Sequence, residues 1–430
     1  MRDFAISDSP AVQTQLDRLG ALSLPQGRFG LDTIRALLAR LGDPQRDLPP
    51  VLHVAGTNGK GSTCAYLRAM LEAQGYTVHA ATKPHLVRYN ERIRIAGKLI
   101  EDEHLASLLK EVLDAGENLA PSFFEVTTAA TFLAFHRTPA DACVIEVGLG
   151  GRFDATNVLE GQAVCGIASL GIDHEAFLLA PEEGVPAEPL ERIAFEKAGI
   201  ARPGVPLVTQ AYPPAVTKTI IDHAMRVGAK TAIRDLDWSA EIGATIAYLD
   251  RRGELDLPLP ALAGAHQADN AALAVAMLRH QSALEVSPQA MAQGIRAARW
   301  PARLQLLAEG PLTALVPGRK VWLDGGHNPD AGRAIARHFA NPVHLIIGML
   351  ASKNPQAITG PLEGKIRSLT VIPVPGSESH PAEAFGADAR SADGIEAALL
   401  SLPPDDYPVL MVGSLYLAGE VLRLNAEFPD

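Results

Sequence analysis

Residues 51–67, "VLHVAGTNGKGSTCAYL", run an unbroken apolar stretch into a glycine-rich turn and then into a helical pattern. A short apolar run without polar alternation reads as a strand buried on both faces, the kind found in parallel sheets covered by helices. The turn itself has two readings. It is a tight structural turn, or it is a cradle in which backbone N–H groups approach phosphate oxygens. In a cradle the helix N-terminus adds partial positive charge, Lys60 reaches the outer phosphates, and Ser62 or Thr63 meets Mg2+. Gly61 follows the lysine where a hydroxyl residue usually sits, so the spacing is not the standard one. The order strand, glycines, lysine, hydroxyl, helix favours the cradle.

The rest of the chain supplies a matching rhythm. Leu31, Ile34, Leu37, Leu38 and Leu41 form one helical stripe, and Leu67, Met70 and Leu71 another, closed by Gly75. Leu105, Leu108, Leu109, Val112 and Leu113 predict a third helix, and "FFEVTTAATFLAF" a buried fourth. "DACVIEVG" and "QAVCGIASLG" read as short strands. This alternation predicts an α/β fold with a parallel sheet and helices on both faces. Residues 181–190, "PEEGVPAEPL", read as a surface insertion. Near "RAARWPARL" the rhythm restarts with "KVWLDGG", "DAGRAIARHFA", "VHLIIGML", "SLTVIPV" and "YPVLMVG", which predicts a second, smaller α/β domain. There is no internal repeat or low-complexity tract.

A chain of 430 residues has room for two or three cores. Its formal net charge of -11 argues against a broad nucleic-acid or anionic-membrane surface, which needs excess Lys and Arg. No apolar run is long enough for a bilayer, and the N-terminus lacks the apolar segment of a signal peptide. Cys64, Cys143 and Cys165 each sit in an apolar segment, which fits reduced, buried thiols of a cytoplasmic protein. A monomer is expected.

Chemistry-bearing residues gather at predicted strand ends, where ligands of open parallel sheets bind. "DACVIEVGLGGR" ends in Glu146 and leads to Arg152, and "QAVCGIASLGIDH" ends in Asp173 and His174. Oxygen ligands suit a hard cation that bridges phosphates, and a histidine can complete its shell. Alternatively, Glu146 is a turn carboxylate and Asp173 a helix N-cap. On spacing alone Lys197, in "ERIAFEKAGI", belongs to a solvated helix face. "RYNERIRI" packs Arg88, Arg92 and Arg94 together, either as an edge strand protected by charge or as a dock for a carboxylate substrate. "LDGGHNPDA" places Asp324, His327 and Asn328 after a strand of the second domain, which predicts a cleft between domains.

The motifs taken together resemble the folylpolyglutamate synthase/dihydrofolate synthase family of the Mur ligase superfamily. "HVAGTNGKGST", "KPHLVRYNERIRI", "FFEVTTAATFLAF", "EVGLGGRFDATN", "GIDH", "EKAGI", "GAHQADNAA", "WPARL", "LDGGHNP" and "GSLYLAGEV" occur in family order over nearly the whole chain. The resemblance implies an N-terminal P-loop ATPase domain over residues 1–298 and a C-terminal Rossmann-like domain over 299–430. It implies an ATP-dependent amide ligase that turns a carboxylate into an acyl phosphate, which the amine of L-glutamate attacks. The acceptors it implies are dihydropteroate and reduced folates, the cofactors ATP and two Mg2+ ions. By the same resemblance Gly56, Thr57, Asn58, Gly59, Lys60, Gly61 and Ser62 hold the ATP phosphates. Asn270, Arg303, Asp324, His327 and Asn328 match further nucleotide contacts. Ser62, Glu146, His174 and Lys197 match metal ligands, the last as a carbamylated lysine, which replaces the solvated-face reading. Lys60, His174 and Lys197 are the expected catalytic residues. On the acceptor side the matches are Gly30, Leu31 and Asp32; Pro84, His85 and Arg88; Ser122, Phe123 and Phe124; and Arg152, Phe153, Asp154 and Ala155. "FDATN" resembles the form seen in bifunctional bacterial members.

Two departures stand out. Lys83 occupies the place where the family usually has a serine that ligates Mg2+, so the metal uses water or Thr82, or the ammonium replaces part of its charge. "LASKNP" stands where relatives carry an Asp-Lys-Asp run. The rival readings are a murein-peptide or cyanophycin-type ligase, disfavoured by the short stretch before the P-loop, a single-activity folylpolyglutamate synthase, and a degenerate member that binds ATP and folate without turnover.

Overall fold

The computed structural model describes residues 6–22 and 30–430. The chain divides into two compact units. One takes the chain up to Lys83, then Arg88–Ala261 and Ala268–Ala298; the other takes Pro84–Val87, Leu262–Gln267 and Arg299–Asp430.

In the first unit the order is α1 (Pro10–Gly20), α2 (Asp32–Arg40), β1 (Val51–Ala55), α3 (Lys60–Gln74), β2 (Val78–Ala81), β3 (Ile93–Ile95), β4 (Lys98–Leu99), α4 (Asp102–Gly116), α5 (Phe123–Arg137) and β5 (Ala142–Glu146). There follow β6 (Gln162–Ile167), α6 (Glu175–Leu178), α7 (Pro189–Ala198), β7 (Pro206–Thr209), α8 (Pro214–Val227), β8 (Lys230–Ile233), β9 (Trp238–Ile242), β10 (Ile246–Asp250), β11 (Gly253–Leu257), α9 (His266–His280) and α10 (Pro288–Ala297). Eight strands form one sheet in the order β4-β3-β2-β5-β1-β6-β7-β8. β1 is central and parallel to both neighbours, pairing Val54 with Glu146 on one side and with Gly166 on the other. All five of its residues are buried, as an apolar run covered on both faces requires. α5 starts where Ser122 and Glu125 exchange hydrogen bonds in a capping box, and its middle is buried all round. These elements agree with the α/β expectation.

"RYNERIRI" becomes a 3-10 turn, Tyr89–Arg92, followed by β3, which is second from the sheet edge rather than at it. β9, β10 and β11 form a separate antiparallel sheet with no counterpart in the sequence reading.

The second unit contains β12 (Gln305–Leu306), β13 (Val321–Leu323), α11 (Pro329–His338), β14 (Val343–Ile347), α12 (Gln356–Thr359), β15 (Ile366–Val371), β16 (Arg390–Ser391), α13 (Ile395–Leu400), β17 (Val409–Val412) and α14 (Leu415–Leu424). Its sheet order is β12-β13-β17-β14-β15-β16, parallel apart from β12. Two apolar clusters, one around Val321, Met411 and Val421 and one around Leu345, Ile347 and Leu410, cover its faces. Among the described residues no helix is long and apolar enough to cross a membrane.

Candidate active site

The glycine turn lies at the carboxyl end of β1 and is tied to the neighbouring strand end. The N–H groups of Thr57 and Asn58 donate to the Ser169 carbonyl at 2.8 and 3.3 Å. The Thr57 hydroxyl donates to Gly171 O at 2.9 Å. Gly59 stands at the N-cap of α3 with φ 83°, and no side chain caps the helix. A Cβ on Gly59 would lie 2.3 Å from Asn270 Oδ1, so glycine is required there both by backbone conformation and by space. The helix's first N–H groups therefore lack both an intrahelical acceptor and a side-chain cap, which is the arrangement that binds anions. Lys60 folds back so that Nζ donates to Thr57 O at 3.2 Å. Ser62 and Thr63 are buried in the first turn, and Thr63 Oγ1 has no hydrogen-bond partner among the described residues.

Lys197 is only 4% exposed and Nζ donates to Gly56 O at 2.9 Å. This corrects the solvated-face reading taken from spacing alone. Burial, and then the Lys60 charge, push its amine down to about 7. α7 turns charged residues inward because they satisfy one another. Arg152, Glu182, Arg192 and Glu196 alternate in a closed ring of ion pairs, with N–O distances of 2.5, 3.0, 3.0 and 2.8 Å. The main-chain N–H of Arg152 also donates to Glu196 O at 2.8 Å. The ring thus fastens the Gly150–Phe153 loop to the end of α7 that carries Lys197. Glu182 comes from the segment expected to be a surface insertion; the segment is largely exposed, but this residue is drawn inward.

Glu146, 3% exposed, closes β5, and one of its oxygens accepts the N–H of Lys83 at 3.0 Å. Its role as a strand-end carboxylate and as a turn organiser coincide. His174 takes the N-cap position of α6 with φ 54°, and its N–H donates to Asp173 Oδ1 at 2.8 Å, so the cap residue is His174 rather than Asp173. Among the described residues no group of three or more His, Cys, Asp and Glu gathers into a metal cage. Ser62 and Glu146 carry oxygen atoms and His174 ring nitrogens, the donor types that a hard cation accepts.

Asp154 spends its carboxylate on its own loop, accepting from Gly148 N, Leu149 N, Thr156 N and the Thr156 hydroxyl. Thr156 Oγ1 in turn meets His53 Nε2 at 2.9 Å, a buried link under β1 that no motif reading anticipated. Arg152 lies 4.3 Å over the Phe153 ring. Ala155 is buried at the start of a 3-10 turn. Ser122 is used as the α5 cap, Phe123 packs edge-on against Tyr89, and Phe124 carries the Lys83 ammonium 3.7 Å above its ring centroid. The Arg88 N–H donates to Glu91 Oε1 at 2.7 Å. Gly30, Leu31 and Asp32 sit at the start of α2, with Gly30 and Asp32 exposed and Leu31 packed against the core.

In the second unit, Pro84 and His85 belong to the short segment grouped there. Asp324 ends β13, and its two oxygens accept from Gly326 N at 2.7 Å and Leu304 N at 2.8 Å. Arg303 Nη1 donates to Ala302 O, and His327 Nδ1 lies 3.2 Å from Gly325 O. Asn328 caps α11, accepting from Ala331 N at 3.0 Å. The structure therefore brings Arg303, Asp324, His327 and Asn328 to one strand end.

No protein-family model matches the chain. It is 33% identical to the Bacillus subtilis dihydrofolate synthase/folylpolyglutamate synthase over 92% of this chain and 94% of that protein. Escherichia coli FolC in complex with DHPP and ADP matches with a TM-score of 0.83 and 31% identity, covering 97% of each chain. The bifunctional folylpolyglutamate synthase/dihydrofolate synthase of Yersinia pestis, complexed with AMPPNP and Mn, matches with a TM-score of 0.83 and 29% identity over 98% of this chain and 99% of that one.

Proposed function

The chain belongs to the dihydrofolate synthase/folylpolyglutamate synthase family, and from that premise we propose that it joins L-glutamate to dihydropteroate and to reduced folates at the expense of ATP. The observation that carries this reading is the uncapped helix terminus behind Gly59, with Lys60 and Lys197 donating to the loop carbonyls of Thr57 and Gly56. A carboxylate oxygen of the acceptor attacks the γ-phosphorus of ATP; an O–P bond forms, the bond to the β-phosphate oxygen breaks, and ADP leaves. The glutamate amine then attacks the acyl carbon. A C–N bond forms, the C–O bond to phosphate breaks, inorganic phosphate leaves, and the amine gives up a proton. Little covalent work falls to the protein, so its part is positioning and charge neutralisation.

In this reading the N–H groups of Gly59 to Ser62 and the Lys60 ammonium take the phosphates. Within the second unit, Arg303 and His327 are the residues proposed for nucleotide contact, while Asp324 and Asn328 spend their oxygens on holding the loop and the helix start. Ser62, Glu146 and His174 are the residues that hold Mg2+, which when bound neutralises phosphate charge. Lys197 is the residue for carbamylation. Its amine must be neutral to add to CO2, and burial beside Lys60 holds it near 7, so a large share is neutral at physiological pH. The carbamate formed is an anion and relieves the repulsion from Lys60. "FDATN" supports dihydropteroate as one acceptor. The three buried, free cysteines suit a reducing cytoplasm.

The test is phosphate release with ATP, Mg2+ and L-glutamate, offering dihydropteroate or tetrahydrofolate. Release with both is expected. Release with one alone reduces the reading to a single activity, and binding without release in either makes the protein a binder.

A further inference from the structure

Lys83 is a buried lysine just past the end of β2. Its Nζ is shielded from solvent and has no hydrogen-bond acceptor among the described residues. It stands over the face of Phe124, 3.7 Å from the ring centroid. Phe124 is itself held in place, since a Cβ on Gly148 would lie 2.2 Å from the ring tip. An ammonium carries three donors, and an aromatic face replaces only part of the hydration lost on burial. Burial pushes the amine down to about 8, while Asp154 and Glu146 draw it upward and Arg92 opposes them. The backbone fixes the position. Lys83 follows β2, whose Ala81 pairs with Ile145 of β5, and its own N–H is anchored on Glu146. β5 is next to β1, so the strand end bearing Lys83 is two strand spacings, roughly 10 Å, from the strand end bearing the glycine loop.

We propose that Lys83 binds the carboxylate of the acceptor, the oxyanion that the reaction activates, and shields it from Glu146. This rests on the ligase reading above. The ammonium takes one carboxylate oxygen and leaves the other free to meet the γ-phosphate held at the loop. In the free protein the buried ammonium has no hydrogen-bond acceptor among the described residues, and the acceptor carboxylate supplies one.

The experiment compares wild type, Lys83→Met and Lys83→Arg by steady-state kinetics and thermal unfolding. Wild-type turnover is measured first. If wild type binds ATP but turns over neither acceptor, the ligase reading fails on its own, whatever the variants do. With an active wild type, Lys83→Met should raise the KM for dihydropteroate and tetrahydrofolate at least about tenfold, the scale of one charge-assisted hydrogen bond. The KM for ATP should move less than about twofold. Lys83→Arg should recover part of the acceptor affinity. Without acceptor, Lys83→Met should melt at or above the wild-type temperature, because an unpaired buried cation has been removed. An unchanged acceptor KM overturns the proposal. So does a fall in melting temperature with equal losses toward ATP and acceptor, which marks a packing role.

Discussion

α3 and α11 each follow a buried parallel strand and a short loop with two glycines, one in each unit of the molecule. α3 opens on Gly59, which has no side chain to offer, and its first turn holds Lys60 and no acid. α11 opens on Asn328, which accepts from its own helix at 3.0 Å, and its first turn holds Pro329 and Asp330. The two termini are treated in opposite ways. The first leaves N–H groups and positive charge facing outward for an anion; the second spends them internally and adds a negative charge. Identical strand–loop–helix order therefore does not make two equivalent phosphate sites. In the second unit the helix terminus is spent on its own cap, so the nucleotide contacts proposed there fall to side chains instead.

The largest break in this comparison should come from Gly59→Val. The residue combines φ 83° with Asn270 Oδ1 only 2.3 Å from the added carbon, so the loop cannot keep its shape. ADP affinity measured by calorimetry should fall by about a hundredfold or more, several kcal/mol in all. A smaller effect concerns the buried amine beside the first loop. The folded protein holds Lys197 near 7 against an ordinary 10.5. Between those values the unfolded chain binds a proton that the folded one lacks, so this residue's contribution to stability grows as pH rises through the window and is lost as pH falls through about 7. In bicarbonate-free buffer, the stability of wild type relative to Lys197→Met should climb from pH 7 toward 10.5 in chemical-denaturation series; a flat difference would contradict the lowering of this amine by burial.

Opening the ion ring should cost less. Glu182→Gln leaves Arg152 and Arg192 with Glu196, and the Glu182 side chain is about one-fifth exposed, so roughly 1–2 kcal/mol of stability is expected, with a modest drop in turnover. The smallest effect is expected at the second loop. Asn328→Ala should remove about 1 kcal/mol through the lost cap and be visible in thermal unfolding.

β1 and α5 are legible in the sequence because burial on all sides leaves a nearly unbroken apolar run, and α3 because Leu67, Met70 and Leu71 repeat at helical spacing before Gly75. The sheet of β9 to β11 was not. Its β10, "IAYLD", alternates buried and exposed residues over one short strand, too brief to stand out from a loop. α7 misled for a different reason. Periodicity treats charge as solvent-facing, whereas Arg192, Glu196 and Lys197 are buried because partners from residues 56, 152 and 182 reach them through the fold. Lys83 shows the converse. Its substitution for the usual serine is plain in the sequence, but its empty hydrogen-bonding capacity over Phe124 is a fact of tertiary structure.

The measurement that bears most directly on the comparison is ADP binding, with Mg2+, to wild type, Lys60→Ala and Asn328→Ala. The account predicts at least about a tenfold loss for Lys60→Ala, as for a removed charge-assisted contact, and affinity near wild type for Asn328→Ala. Wild-type affinity in Lys60→Ala, with the loss in Asn328→Ala instead, would place the phosphates at the second loop and contradict it.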